Sequence, residues 1–210
     1  MPTAPSARTR VRRQSERADY DRATLYAIVD AAHLCHLAFA DDSGVHSLPM
    51  ACWRIDDALY LHGSNGSRML KRAAGGAQVC ATITHLDGLV LARSAFNHTM
   101  NYRSAAIYGV CERVADADKP AVLDALMDKL APGRSRQARP GSAQELAATT
   151  VLRLPLHEFA CKVRQGGPED DAEDLALPVW AGVLPLRLAP QPPQADGDFE
   201  PTPDYVRAWR

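Results

Sequence analysis

The sequence predicts an α+β chain built around an antiparallel β-barrel. Short β-type runs follow one another directly along the chain. The turns between the early ones are too short for a parallel crossover, which needs about a dozen residues. Helical periodicity surfaces in only a few places, so the regular strand–helix alternation of a doubly wound fold is missing.

The elements follow in order. Leu25, Ile28, Val29 and Ala32 recur at helical spacing, with Asp21 placed to cap the start. Residues 34–40 read as a strand that ends in Asp41-Asp42-Ser43-Gly44, and 45–55 read as the next. Asp56-Asp57 turns the chain into a strand over 59–62. Residues 63–66 break it, and 67–74 form a short helix ended by Gly75-Gly76. Residues 79–84, 89–95 and 105–114 read as three further strands, their imperfect alternation fitting a closed sheet packed on both faces. Asp118 and Pro120 open an amphipathic helix carrying Val122, Leu123, Leu126, Met127 and Leu130 on one side. Ser142 and Glu145 make a capping box for another helix. Strands over 150–154 and 159–163 complete the regular part, and an acidic stretch over 169–174 leads into an irregular end.

Composition narrows the function classes. Of 210 residues, 46% are hydrophobic and 23% charged, ordinary values for a chain that buries a core. Lys and Arg number 24 against 25 Asp and Glu, and a net charge of -1 gives no general attraction to nucleic acid or membrane. The basic excess is local: Arg8, Arg10, Arg12, Arg13 and Arg17 stand with one acid, Glu16. The expected organisation is a flexible basic tail over 1–18, a single domain over 19–190, and a Pro-rich tail over 191–210. No apolar run approaches the roughly 20 residues that span a bilayer, and the first residues lack the apolar core of a secretory signal. Cys35, Cys52, Cys80, Cys111 and Cys161 are scattered, which reads as buried thiols in a reducing cytoplasm. The expectation is a cytoplasmic protein.

Three segments carry candidate binding groups. In Tyr60-Leu-His-Gly-Ser-Asn-Gly-Ser-Arg-Met-Leu-Lys71 a strand runs through a small turn into a helix, aiming backbone N–H groups and the hydroxyls of Ser64 and Ser67 at one spot. Arg68 and Lys71 lie three apart on the same face, where like charges repel by a few tenths of a kcal/mol and a bound anion reverses the sign. A capped, solvated basic helix face is the plainer reading of the same residues. The second segment, Phe96-Asn-His-Thr-Met-Asn-Tyr-Arg-Ser104, reads as a polar loop whose Asn101, Tyr102 and Arg103 suit a planar anion. The third pairs Lys162 and Arg164 on one strand face with Trp180, held between Pro178 and Gly182 and placed to cover a flat ligand. A salt bridge to the acidic stretch and a core Trp are the plainer readings there. His33 and His36 lack an acidic partner at a recognisable spacing, so no metal site is expected.

Seven segments, in register over residues 10–190, resemble the pyridoxamine 5'-phosphate oxidase-like superfamily. They are Arg-Ala-Asp-Tyr-Asp (17–21), Ser-Leu-Pro-Met (47–50), Leu-His-Gly-Ser-Asn-Gly-Ser-Arg (61–68), Leu-Asp-Gly-Leu-Val-Leu-Ala-Arg-Ser-Ala-Phe (86–96), Asn-Tyr-Arg-Ser (101–104), Lys-Val-Arg-Gln-Gly (162–166) and Pro-Val-Trp-Ala-Gly-Val-Leu-Pro (178–185). The likeness is to the flavin-nucleotide-binding branch that includes nitroimidazole-resistance proteins. It implies a split-barrel homodimer with flavin mononucleotide (FMN) in grooves between the subunits. On this reading Pro49 and Met50 line the flavin ring, and His62, Gly63 and Ser64 follow it towards the ribityl chain. Ser67, Arg68 and Lys71 hold the phosphate. Asn101, Tyr102, Arg103 and Trp180 approach from the neighbouring subunit or the chain end. Of the basic substrate set near the C-terminus of pyridoxamine 5'-phosphate oxidase proper, Arg187 alone remains as a candidate, so the family name does not carry that activity over.

The expected function is an FMN-dependent oxidoreductase acting on a small molecule, with NAD(P)H as donor by analogy. Tyr102 and His98 are the nearest candidates for an acid or base. The alternatives are a non-catalytic flavin sensor or carrier, a haem-binding split barrel with a His such as His62 or His98 on iron, and a deazaflavin protein.

Overall fold

A computed structural model describes residues 3–197 and 201–209. In chain order they form β1 (Ala18–Asp19), α1 (Arg22–Asp30), β2 (Leu34–Asp41), β3 (Gly44–Ile55), β4 (Ala58–Ser64), α2 (Arg68–Ala74), β5 (Gln78–Leu91), β6 (Thr99–Val110), β7 (Glu112–Arg113), α3 (Lys119–Leu130), α4 (Ala143–Ala148), β8 (Thr149–Pro155), β9 (Glu158–Arg164), β10 (Gly182–Pro185) and α5 (Asp204–Arg207). The strands join in the order β1-β9-β6-β5-β2-β3-β4-β8-β7, with β10 on β5. All the pairings are antiparallel, so the architecture is the expected α+β split barrel.

Alternation of apolar residues decides which side of each strand turns inward. Cys35, Leu37 and Phe39 of β2, Leu59 and Leu61 of β4, Val79, Ala81 and Ile83 of β5, and Leu152 and Leu154 of β8 fill the barrel. Leu25, Ile28 and Val29 of α1 join this core, and Asp21 accepts from the Ala23 N–H at the helix start as its position predicts. A fully buried Leu or Ile contributes roughly 1.5–3 kcal/mol. On the other side of the β3–β4–β8 ribbon a second cluster forms, where Trp53, Val114, Val151 and Leu126 pack with Tyr60, Val122, Leu123 and Met127 beneath α3. The two clusters divide the molecule into a barrel and an outer lobe.

Two sequence expectations change. The runs over 79–84 and 89–95 are one 14-residue strand, β5, which passes a β-bulge between Leu86 and Gly88. Asp87 is the extra residue, and its carboxylate takes a bidentate ion pair from Arg103, both N···O distances 2.8 Å. Asp-Gly thus bends a strand here and does not end it. The expected loop over 96–104 shrinks to a 3-10 turn at Ala95–Asn97, because β6 begins at Thr99 and bonds to β5 and β9 on its two sides.

Both ends of the chain touch the domain. Arg8 pairs with Glu158 and lies over the Tyr108 ring, and the Val11 N–H donates to the Tyr20 hydroxyl at 2.9 Å. Near the C-terminus Tyr205 links Arg134 and Gln137, at 2.9 Å each. No helix among the described residues is long and apolar enough to cross a membrane.

Candidate functional site

Where β4 ends, the turn into α2 is fixed by its own side chains. The Ser64 Oγ accepts from the Gly66 N–H at 3.1 Å, and the Ser67 Oγ caps the helix by accepting from Leu70. Asn65 donates to the Ala147 carbonyl at 2.6 Å and accepts from the Thr150 hydroxyl at 2.6 Å, tying this turn to α4. Arg68 stands 62% exposed beside the turn, and Lys71 is exposed one turn on. Arg68 is partly balanced: its guanidinium lies 3.7 Å from the Asp41 carboxylate and 3.4 Å from the His46 Nδ1. Hydrogen bonds from Ser43 and His46 hold the Asp41 carboxyl well below the usual carboxylate range. Lys71 has no ion-pair partner among the described residues. Pro49 and Met50 lie on β3, opposite His36 and Cys35 of β2, with Pro49 exposed and Met50 half-buried.

Two of the candidate residues on β6 have bonds within the chain. Asn101 is buried, accepts from Arg164 and donates to the Gly166 carbonyl at 3.0 Å. Arg103 is occupied by Asp87, whose carboxyl it pulls below the usual range. Tyr102 is half-buried on β6, opposite Leu86 and Arg164. Trp180 is 63% exposed, its ring folded back over Gly182. Among the described residues none of these four makes a hydrogen bond or ion pair with Arg68 or Lys71. The row Leu184, Leu89 and Met100, matched across β10, β5 and β6, stays 44%, 36% and 50% exposed. Leu86 and Leu48 are exposed as well.

His62 is half-buried on β4. Along β4 it alternates with Leu59 and Leu61, which face the barrel, so its ring enters the outer lobe. There it meets the Trp53 indole edge-on, and it lines a cavity of about 430 Å3 between β4, α3, α4 and residues 135–141. The Nδ1 of His62 and the Nε1 of Trp53 are both buried without a hydrogen-bond partner among the described residues. Burial pushes the His62 pKa down. A volume of this size lies within the usual range for small-molecule sites, about 300–1,000 Å3. The sequence carries the signal for the direction of His62 alone, since Tyr60 and His62 share a period of two opposite to Leu59 and Leu61.

Comparison with known proteins places the chain. The family described as pyridoxamine 5'-phosphate oxidase matches residues 21–163. Among solved structures, the flavocytochrome Anf3 from Azotobacter vinelandii is 40% identical, with TM-score 0.94, over 100% of this chain and 99% of that one. The FAD and haem binding protein from Mycobacterium smegmatis is 36% identical, with TM-score 0.88, over 92% and 97%. A Bacteroides thetaiotaomicron protein described under 5-nitroimidazole antibiotic resistance shares the fold, at 23% identity and TM-score 0.57 over 70% and 86%. No curated protein sequence matches significantly. With that family spanning 21–163 and two relatives above 30% identity covering nearly the whole chain, the protein belongs to the pyridoxamine 5'-phosphate oxidase family.

Proposed function

We propose that the chain is a flavin-binding redox protein that works as a homodimer and also takes haem. The observation that carries the flavin reading is the pair Arg68 and Lys71, exposed beside the Ser64–Ser67 turn on a chain 40% identical to a flavocytochrome. A flavin phosphate needs cations and hydroxyl donors that reach solvent, and this donor set supplies both. Lys71 brings an uncompensated charge, while Arg68 must share its charge with Asp41. The exposed edge of β3 at Pro49 and Met50 offers backbone and apolar surface for the ring. Bound flavin supplies electron or hydride transfer, and the protein orients it and excludes water.

The homodimer reading rests on the row Leu184, Leu89 and Met100. A contiguous apolar patch of this kind is covered in most soluble proteins. A second copy seated there also gives Tyr102 and Trp180 a ligand to approach, which a lone chain does not. Sequence resemblance leads to FMN, whereas the Mycobacterium smegmatis relative, named for FAD, favours the dinucleotide. The Arg68–Lys71 pair serves a phosphate of either.

Released chromophore separated against FMN and FAD standards decides the cofactor. Anaerobic addition of NADH or NADPH separates an oxidoreductase from a carrier: rapid bleaching and turnover with a small aromatic or nitro acceptor supports catalysis. A flavin that no nicotinamide donor reduces contradicts it.

A further inference from the structure

We propose that Asp41 and His46, at the β2–β3 turn, are positioning residues for Arg68: the Asp41 carboxylate is an internal counter-anion that a flavin phosphate displaces, and His46 keeps its hold on the guanidinium loose. This deepens the flavin reading above and rests on it.

The hairpin itself builds the cluster. Asp41 pairs with Gly44 at its end, and Phe39 pairs with His46 two residues in. The His46 ring stacks on Phe39, centroids 4.9 Å apart, and its Nε2 lies 3.0 Å from the Asp41 Oδ1. An ionised carboxylate only accepts, so Nε2 carries the proton and Nδ1 a lone pair. That lone pair faces the Arg68 guanidinium at 3.4 Å. The Ser43 N–H and hydroxyl donate to the same Asp41 oxygen, at 2.9 and 2.6 Å. Three donors thus occupy Oδ1, and Oδ2 is the oxygen left for Arg68, at 3.7 Å.

Burial separates the two partners. The Asp41 side chain is 5% exposed and that of Arg68 is 62% exposed. Donors at Ser43 and then His46 keep the Asp41 carboxyl well below its usual range, so it stays ionised and in place. The long Arg68 side chain is the partner that can change position. Arg72 makes a similar contact with Asp42 at 4.0 Å, and Lys71 faces neither acid in an ion pair.

A phosphate arriving beside Lys71 therefore competes with Asp41 for one guanidinium. At 3.7 Å the Asp41 contact is a charge pair without a hydrogen bond, whereas a phosphate oxygen can accept directly from Arg68. His46 favours the exchange twice: its Nε2–H takes up part of the Asp41 charge, and its Nδ1 gives Arg68 another partner. The two residues then act with opposite sign. Removing the Asp41 charge tightens phosphate binding, and removing the His46 nitrogens weakens it. A merely structural role weakens binding in both cases.

Full-length protein stripped of flavin is titrated with FMN and with riboflavin, which has the same ring and no phosphate, following flavin fluorescence. Asp41→Asn keeps an acceptor oxygen for Ser43 and His46, and His46→Phe keeps the stack on Phe39. FMN is expected to bind about threefold tighter to Asp41→Asn and about threefold weaker to His46→Phe, as suits an exposed charge pair. Riboflavin affinity stays at the wild-type value in both, which also reports that they fold. In an Arg68→Ala background neither substitution changes FMN affinity. An Asp41→Asn variant that binds FMN no tighter than wild type overturns the proposal, as do shifts that riboflavin shares or that persist without Arg68. The flavin reading stands in those cases if Arg68→Ala itself weakens FMN. A wild type that binds FMN no tighter than riboflavin overturns both.

Discussion

The Trp53 indole meets the His62 imidazole edge-on, ring centroids 5.6 Å apart at 65°, and each ring buries a nitrogen without a hydrogen-bond partner. Trp53 is 1% exposed and anchors the outer lobe, whereas Trp180 is 63% exposed on a Pro-flanked segment. Their removal therefore has different consequences. Trp53→Ala is expected to cost about 3–5 kcal/mol of stability through the cavity it leaves. Trp180→Ala changes stability by less than about 0.5 kcal/mol but alters flavin fluorescence and affinity. Urea unfolding of the two variants checks the first pair of values, and equal losses contradict the assignment of roles.

The Asp87–Arg103 pair predicts a pH dependence. Arg103 lowers the Asp87 pKa in the folded state. The pair's contribution is therefore complete above the unfolded carboxylate value, about 3.9, and is lost as pH falls through the folded value. With both side chains about a third exposed, the effect is up to about 1 kcal/mol. The stability gap between wild type and Arg103→Met should shrink between about pH 6 and about pH 3. A gap of the same size at both ends contradicts an electrostatic role for Arg103.

A charge in the exposed row tests the homodimer. Leu89→Glu places a carboxylate between Leu184 and Met100. The variant is expected to sediment at half the mass of the wild type and to lose flavin along with the second subunit. Unchanged mass removes this face from the interface.

Much of the architecture was legible because local chemistry and tertiary structure agree. Asp21 and Ser142 cap the helices they were expected to cap, and Ser67 caps α2, the plainer of its two readings. The tight turn at Asp56-Asp57 fixes the β3–β4 pairing. The strand over 86–91 was obscured because Asp87-Gly88 has turn composition, and only the long-range partner Arg103 makes it a bulge. Asn101 looked like a loop ligand because its partners, Arg164 and Gly166, lie more than 60 residues away. For the candidate site, Arg68 and Lys71 stood out through charges placed against helix preference. The outer cavity needed α3 and α4 folded over β4, a juxtaposition no local pattern contains.

The proposed flavin site rests on Arg68 and Lys71. Each charge-assisted contact to a phosphate is worth roughly 1.5–3 kcal/mol, about tenfold or more in affinity. The most direct measurement is the visible spectrum and flavin dissociation constant of purified wild type beside Arg68→Ala/Lys71→Ala. The expected result is a two-banded flavin spectrum in the wild type and at least a hundredfold weaker binding in a folded double variant. A wild type that neither carries nor takes up FMN or FAD, or a double variant that binds as tightly as wild type, contradicts it.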